Sequence, residues 1–374
     1  MNPVLATIEP SQIRALNAKK RPTSIDLGLG EPTLPPQQRF IDAAARATAE
    51  RGMKYTPNAG DPELRRLIAE RYAYPGMNDA RNVTVTTGSQ EAMYVAIKAL
   101  LDPARDEMLV IEPAYPAYAK IAQLEGVAVR SVGMRESEGF AYDPELILAA
   151  VTPATRLIVL GSPANPTGCV MTATALATLT QGLLARGGEP VWILADELYR
   201  ELTYVDDPGH AGAVYPYTIA VNGISKSNAL TGMRIGWTIA PAPLCDELTK
   251  VHAWVSSAAS TFGQRVALGI FGEAGALTEH VPWYRTQRAA VLDALRASGL
   301  TFVDPDGAFY VCVKLPNESD SLAAAYRLID EHDVVTMPGS IFGETLEGWL
   351  RLSWVAQIDT FREGLSRIAT AALV

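Results

Sequence analysis

The sequence predicts an α/β fold: a large domain with a mostly parallel central sheet covered by helices, followed by a smaller α+β domain. Three observations predict it. From about residue 80 to about Leu244, short apolar runs alternate with segments of helical spacing. Several of those runs, TRLIVLGSP and VWILADE among them, are apolar throughout, as strands buried on both faces are. After Leu244 the rhythm changes to long helices and then to mixed short strands and helices, with no repeat, low-complexity tract or long linker. Strands alternating with helices pair in parallel through helical crossovers. The expected division is an N-terminal arm and part of the small domain over 1–45, the large domain over 46–260 and the C-terminal small domain over 261–374, packed together with a cleft between them.

Residues 1 to about 25 read as an arm. Pro3 and Pro10 break any early helix, and Lys19, Lys20, Arg21 and Pro22 form a polar bend. In SIDLGLGEPTLPP, Ile25, Leu27 and Leu29 alternate like a short strand. Gly28 and Gly30 leave room for a close approach to the backbone, and Pro32, Pro35 and Pro36 end the element. An Ala-rich helix is expected over roughly residues 37–51, and a second in KYTPNAGDPELRRLIAERY, with Asp61 as N-cap and Pro62 in the first turn. NVTVTTG is a strand ending at Gly88, and SQEAMYVAIKALL a helix with apolar residues at Ala92, Val95, Ala96 and Ala99. EMLVIEP and VAVRSVG are strands flanking AYPAYAKIAQLEG. TRLIVLGSP and VWILADE flank the helix TATALATLTQGLLARGG, and TIAVNGIS and RIGWTIA complete the set. Beyond Leu244, LCDELTKVHAWVSS, TFGQRVALGIFGE and PWYRTQRAAVLDALRASG are helical. The last third runs from TFVDPDGAFYVCVKL through VVTMPGSIFG and GWLRLSWV to FREGLSRIATAALV.

Composition narrows the function. The 374 residues are 48% hydrophobic and 20% charged, an ordinary globular mix. A net charge of -9 argues against nucleic acid or an anionic membrane as the main partner, because both need a basic face. Cys169, Cys245 and Cys312 form no CxxC pair, and His210, His252, His280 and His332 no HExxH spacing. Neither a disulfide framework nor a metal site is expected. With no signal-type apolar segment at the start and no apolar run of spanning length, the expected location is cytoplasmic.

The strongest chemical signal is NGISKSNALTGMRIGW, residues 222–237, with Lys226 among small and polar residues and Arg234 eight positions later. A lysine so placed can act as an amine nucleophile that forms a Schiff base with a carbonyl; taken alone, it reads more readily as a solvated charge. The cofactor that most often needs such a lysine is pyridoxal 5'-phosphate (PLP), which also demands an acid against its ring nitrogen and a cradle for its phosphate. Asp196 ends the apolar strand VWILAD, at the edge where open α/β sheets bind ligands. It suits the acid, or else an N-cap for a helix over ELYREL. Tyr199 follows on the same side of that turn and can offer its hydroxyl. Gly88, Ser89 and Gln90 sit where a strand runs into a helix, which makes either a phosphate site or a plain cap. Asn165, in GSPANPTG, and Tyr115, in EPAYPAY, follow two more strands; one offers an amide, the other a ring to stack on a flat cofactor. Arg234 can grip a phosphate bidentately. Arg351, between apolar neighbours in WLRLSW, needs an anion, either an internal partner or a substrate carboxylate.

Taken in order, these segments resemble the class I/II aminotransferases, the PLP-dependent fold type I enzymes related to aspartate and aromatic aminotransferases, over nearly the whole chain. SKSNALTGMRIGW is similar to the family's Schiff-base segment, ADELY to its Asp-x-x-Tyr motif, SPANPTG to its Asn-Pro-x-Gly turn and TTGSQEA to its phosphate loop. KYTPNAGDPELR resembles the segment whose tyrosine, here Tyr55, reaches the phosphate of the partner subunit. PGSIFG followed by WLRLSW resembles the segment that ends in the carboxylate-binding arginine, here Arg351, and SIDLGLGEPTL the one whose glycine, here Gly30, lines the substrate site. The resemblance implies a homodimer with shared active sites, acting on an amino acid and a 2-oxo acid by a ping-pong mechanism. Lys226 would hold the cofactor and act as base, Asp196 keep its ring protonated, and Tyr199 and Asn165 face its phenolate oxygen. The sequence departs from many relatives at Gly223, where they carry a serine that Ser225 replaces, at Tyr118, where the aspartate-specific branch has a histidine, and in GEPTL, which lacks an acidic residue; the last two leave aspartate specificity open. A carbon–sulfur β-lyase or related lyase on the same scaffold stays open too, because the same lysine and aspartate serve it. A PLP-binding regulatory domain would carry an N-terminal DNA-binding module, for which the arm leaves no room.

Overall fold

The computed structural model describes residues 3–8, 10, 12–316 and 318–372. After β1 (Ile25–Asp26) come β2 (Val83–Thr86), β3 (Glu107–Glu112), β4 (Ala128–Gly133), β5 (Thr155–Gly161), β6 (Trp192–Asp196), β7 (Thr218–Gly223) and β8 (Gly236–Ile239). Strands β2 to β8 form one sheet in the order β2-β8-β7-β6-β5-β3-β4. β8 runs antiparallel to both of its neighbours, and the other neighbouring pairs are parallel. The helices in chain order are α1 (Gln12–Ala18), α2 (Gln38–Arg51), α3 (Pro62–Tyr72), α4 (Ser89–Leu100), α5 (Ala117–Leu124), α6 (Pro144–Ala150), α7 (Ala173–Ala185), α8 (Ala211–Val214), α9 (Ala242–Ser256), α10 (Thr261–Gly272), α11 (Val281–Ser298), α12 (Ser321–His332) and α13 (Ile358–Ala372).

Alternation along the strands explains the two helical layers. Met108, Val110, Leu157, Val159 and Leu194 point to the face covered by α4 and α5. Their neighbours Leu109, Ile111, Ile158, Leu160 and Ile193 point to the face of α6 and α7. Both faces are therefore apolar, as the continuous runs required. Asp61 caps α3 as expected, accepting from the Glu63 and Leu64 amides, with Pro62 in the first turn. α10 packs on α2 and α3 beside β2 and β8.

A second sheet, β12-β13-β10-β9, is built from β9 (Thr301–Phe302), β10 (Tyr310–Lys314), β12 (Met337–Pro338) and β13 (Trp349–Ser353), all paired antiparallel. β11 (Val334–Val335) pairs in parallel with β1, which joins the arm to the C-terminal third. The strand expected over residues 25–29 is thus shorter, although Leu27 continues its hydrogen bonding to Val335 and Ser353. The arm also holds α1, which starts two residues past Pro10: a proline bars the helix before it, not after it. Leu16 anchors α1 in the core at 1% exposure, and Lys19 and Arg21 reach Asp330 (2.6 Å) and Asp333 (3.1 Å) around α12. Over ELYREL the expected helix is only a 3-10 turn, Arg200–Leu202. The Leu202 carbonyl accepts from the Ala308 amide instead, which turns this segment onto the strand approaching β10.

Candidate active site

Because the strands are parallel, the carboxyl ends of β2, β3, β5, β6 and β7 meet at one edge. The residues just beyond them include Gly88, Tyr115, Asn165 and Lys226, with Asp196 ending β6 itself. β8 starts from the same edge, directly after Arg234. A cavity of about 570 Å³ lies there. All the candidates from the sequence line it except Gly88, which sits behind Arg234, and Tyr55.

At one end of the cavity, Gly88 (φ 81°) ends the β2 turn and caps α4. The amides of Ser89 and Gln90 belong to the first helical turn, so they have no intrahelical acceptor and face outward with the positive end of the helix dipole. The Arg234 guanidinium lies so close over Gly88 that a Cβ there would strike it. This end is braced from behind by Glu91. Its carboxylate accepts from the Thr87 amide (2.5 Å), the Ser256 hydroxyl (2.6 Å) and His252 Nδ1 (3.0 Å), although His252 is fully buried. Burial raises the Glu91 carboxyl, and the bonds from His252, Ser256 and Thr87 outweigh it, leaving the group at about 2. Gly223 has no room for a side chain, since its Cβ would stand 2.8 Å from the Ile235 carbonyl; the buried Ser225 supplies the hydroxyl on the cavity wall.

In the middle, the Asp196 carboxylate is 6% exposed and accepts from the Tyr118 hydroxyl (2.6 Å) and the Leu198 amide (3.2 Å). Burial pushes this carboxyl up; Tyr118 and Leu198 oppose the shift, as does the charge of Lys226. Asp196 is thus a buried acid held by two hydrogen bonds and facing the charge of Lys226. Lys226 Nζ is half-buried and donates to the Gly30 carbonyl (2.7 Å). The Tyr115 ring forms the wall, held edge-to-face against Tyr118 at 5.7 Å between centroids.

At the far end, Arg351 comes from β13 and is 3% exposed. It donates to Asn165 Oδ1 (2.9 Å) and to the Gly28 carbonyl, while its Nε has no partner. No carboxylate among the described residues pairs with it, so the internal salt bridge is excluded there and a buried cation is left to face the cavity. Tyr310 also stands here, its ring 4.3 Å from the guanidinium carbon and its hydroxyl 2.9 Å from that of Tyr199. Sequence reasoning missed Tyr310. It also missed Ile13, Arg14 and Asn17 of α1, which close the outer wall. The aromatic pair opening the strand in DGAFYVCVKL was the signal for Tyr310; nothing in the arm's sequence showed where it docks.

Tyr55 lies outside the cavity, 89% exposed; Met53, Trp254 and Val255 are exposed too, in its own segment and at the end of α9. Asn58 bonded to the Ser257 carbonyl (2.6 Å), and Thr261 to that of Lys54 (2.8 Å), hold the two segments side by side. Among the described residues no cluster of His, Cys, Asp or Glu is placed to hold a metal ion, and no helix is long and apolar enough to cross a membrane.

Comparison with known proteins identifies the family. The family model "Aminotransferase class I and II" matches residues 22–368. A probable N-acetyl-LL-diaminopimelate aminotransferase of Bacillus subtilis is 35% identical over 98% of this chain and 94% of its own length. An arginine–pyruvate transaminase of Pseudomonas aeruginosa is 32% identical over 92% of this chain and 89% of its own. The solved aspartate aminotransferase of Thermus thermophilus with maleate is 32% identical, has a TM-score of 0.91 and is covered over 99% of both chains.

Proposed function

The chain belongs to the class I and II aminotransferases, and on that premise we propose that it moves an amino group between an amino acid and a 2-oxo acid with PLP held by Lys226, Asp196 and the Gly88–Arg234 end of the cavity. One observation carries the reading: a half-buried amine, a buried carboxylate and a buried guanidinium share one cavity, and neither of the buried groups makes an ion pair among the described residues. The donor set fits the cofactor. The first-turn amides of α4, Arg234 and Ser225 suit a phosphate, and Gly88, at positive φ and without a side chain, leaves room for the Arg234 guanidinium beside those amides. Asp196 suits a ring nitrogen, Tyr115 a ring face, and Tyr199 with Asn165 an oxygen on the ring.

When bound, PLP supplies an aldehyde that takes up the amino group and a cationic ring that withdraws electrons from the substrate's α-carbon. The side chains do the rest. Arg351 binds the substrate carboxylate, oriented by its bond to Asn165. Lys226 takes the proton from the α-carbon. The Gly30 carbonyl, which now accepts from Nζ, fixes where that amine rests. Asp196 keeps a proton on the ring nitrogen, itself held ionised by Tyr118. The protein acts as a cytoplasmic homodimer in this reading. The exposed apolar Met53, Tyr55, Trp254 and Val255, carried on two segments joined by hydrogen bonds, support it, and Tyr55 would enter the second copy's site. The two-domain division near residues 45 and 260 belongs to the same proposal.

The test is the visible absorption of the purified protein with PLP, before and after single amino acids without an oxo acid. Loss of the bound chromophore with release of the matching 2-oxo acid is the expected result. A chromophore that persists while ammonia and pyruvate accumulate from a sulfur amino acid would establish the lyase instead, and no chromophore at all would overturn the role given to Lys226.

A further inference from the structure

We infer that Tyr310 is a positioning residue of the transfer site, linking the hydroxyl of Tyr199 to the carboxylate-binding guanidinium of Arg351; this rests on the reading proposed above. Three contacts carry it. The Tyr310 hydroxyl, on a side chain 2% exposed, shares a 2.9 Å hydrogen bond with the Tyr199 hydroxyl. Its ring lies under the Arg351 guanidinium at 4.3 Å. Its hydroxyl also presses on Gly30 so closely that a Cβ there would collide with it, and the carbonyl of Gly30 is the one that accepts from Lys226.

Sheet register explains how one side chain reaches all three. In the β10–β13 pair, Cys312 stands opposite Arg351 and Tyr310 opposite Ser353. Tyr310 is therefore the diagonal same-face neighbour of Arg351, within reach of a long side chain. A guanidinium over an aromatic face is attracted to it, more so where water is excluded. The arginine that lacks an anion is thus held flat and aimed without being neutralised.

The hydroxyl pair settles a second matter. One phenol donates to the other, so one O–H is left for the cavity. Burial pushes Tyr199 well above the usual phenol range, and Tyr310 adds to the shift, so Tyr199 keeps its proton. With Tyr310 as its fixed partner, the Tyr199 O–H has a defined direction. Without it, the hydroxyl has lost that partner and turns freely about its C–O bond. A substrate carboxylate arriving at Arg351 also arrives beside Tyr310, so binding at one end of the cavity is felt by the phenol facing the ring.

The test compares the PLP-loaded parent with Tyr310→Phe, Tyr310→Leu, Tyr199→Phe and the double variant Tyr199→Phe/Tyr310→Phe. Tyr310→Phe keeps the ring and removes the hydroxyl. It should lower kcat about tenfold with KM for the amino donor changed less than about twofold. It should also move the pH midpoint of the bound chromophore's visible absorption upward, because a phenol aimed at an oxygen anion on the ring favours the deprotonated form. Tyr310→Leu should add a rise in KM of about tenfold, from loss of the face under Arg351. The double variant should be no slower than Tyr199→Phe alone, as coupled residues are. A parent-like kcat and titration midpoint in Tyr310→Phe would overturn the inference while leaving the aminotransferase reading intact; additive losses in the double variant would overturn it too. A parent without a PLP chromophore would overturn both. If Tyr310→Leu does not fold, Tyr310→Phe decides alone.

Discussion

At the Gly88–Arg234 end of the cavity the groups come from the carboxyl edge of one sheet, whereas at the Arg351 end they come from β13, β10, the loop after β5 and the segment after β1. The first end is fixed by hydrogen-bonded strands that are buried along β2, β7 and β8 and by helix α4, braced through Glu91. The second exists only while a second sheet sits against the first. It is held by single contacts, Arg351 to Asn165, Arg351 to Gly28 and Tyr310 to Tyr199. A site so divided can keep its cofactor end rigid while the substrate end adjusts, and the two ends should fail differently when damaged.

The largest effect should come from the junction of the two ends. Lys226→Ala removes the amine that binds and the base that moves the proton. Turnover should fall by about 10⁴-fold or more, as happens when a nucleophile acting in a unit is lost. The fold should survive, because among the described residues Lys226 makes one side-chain hydrogen bond, to the Gly30 carbonyl, and no ion pair. Steady-state kinetics and a thermal melt on one preparation test both halves. Turnover within tenfold of the parent would break the division of the site at its centre.

Arg351→Ala should do something else. The amino-donor KM should rise by about 100-fold, the scale of a charge-assisted bidentate contact, while the visible spectrum of the resting protein stays like the parent's. Arg351→Lys should recover little, since a compact ammonium lacks the planar fork that reaches Asn165 and Gly28 while gripping a carboxylate bidentately. A resting spectrum altered as much as the KM would show that the ends are not separable.

The same contrast explains what the sequence revealed. Strand-end residues such as Asp196 and Asn165 were legible because a parallel sheet puts every strand's carboxyl end on one edge whatever the strand order. Gly88 was legible because a strand there runs straight into a helix, and Lys226 because of its own segment, with small and polar neighbours and Arg234 eight positions on. Tyr310 was not legible. Its place beside Arg351 depends on the antiparallel register of β10 and β13, and two sequences shifted by one residue would put it on the opposite face. The docking of α1 over the cavity was hidden for a related reason. Its Leu16 marks a buried face, but only the partners of Lys19 and Arg21 around α12 decide where that face lands. The helix expected over ELYREL failed because the chain turns there toward the Ala308 amide, a long-range contact that local propensity does not contain.

The smallest effect should be at Glu91, which braces the rigid end without lining the cavity. Its folded carboxyl lies at about 2, below the ordinary 4.5. A carboxyl depressed on folding contributes stability that is fully present above its unfolded value and is lost as pH falls through the folded one. For Glu91 that window runs from 4.5 down to about 2. Glu91→Gln keeps the shape and removes the charge that the Thr87 amide, Ser256 and His252 converge on. At pH 7 it should melt a few degrees below the parent. Below pH 4.5 the parent's own melting temperature should fall toward that of the variant, so that the gap narrows steadily to near zero at about pH 2. Melting curves of the two proteins across that range provide the check. A gap that stays constant with pH would mean that the brace is one of shape and not of charge. The rigidity of the Gly88 end would then have to come from the β2–β8 pairing and α4 alone.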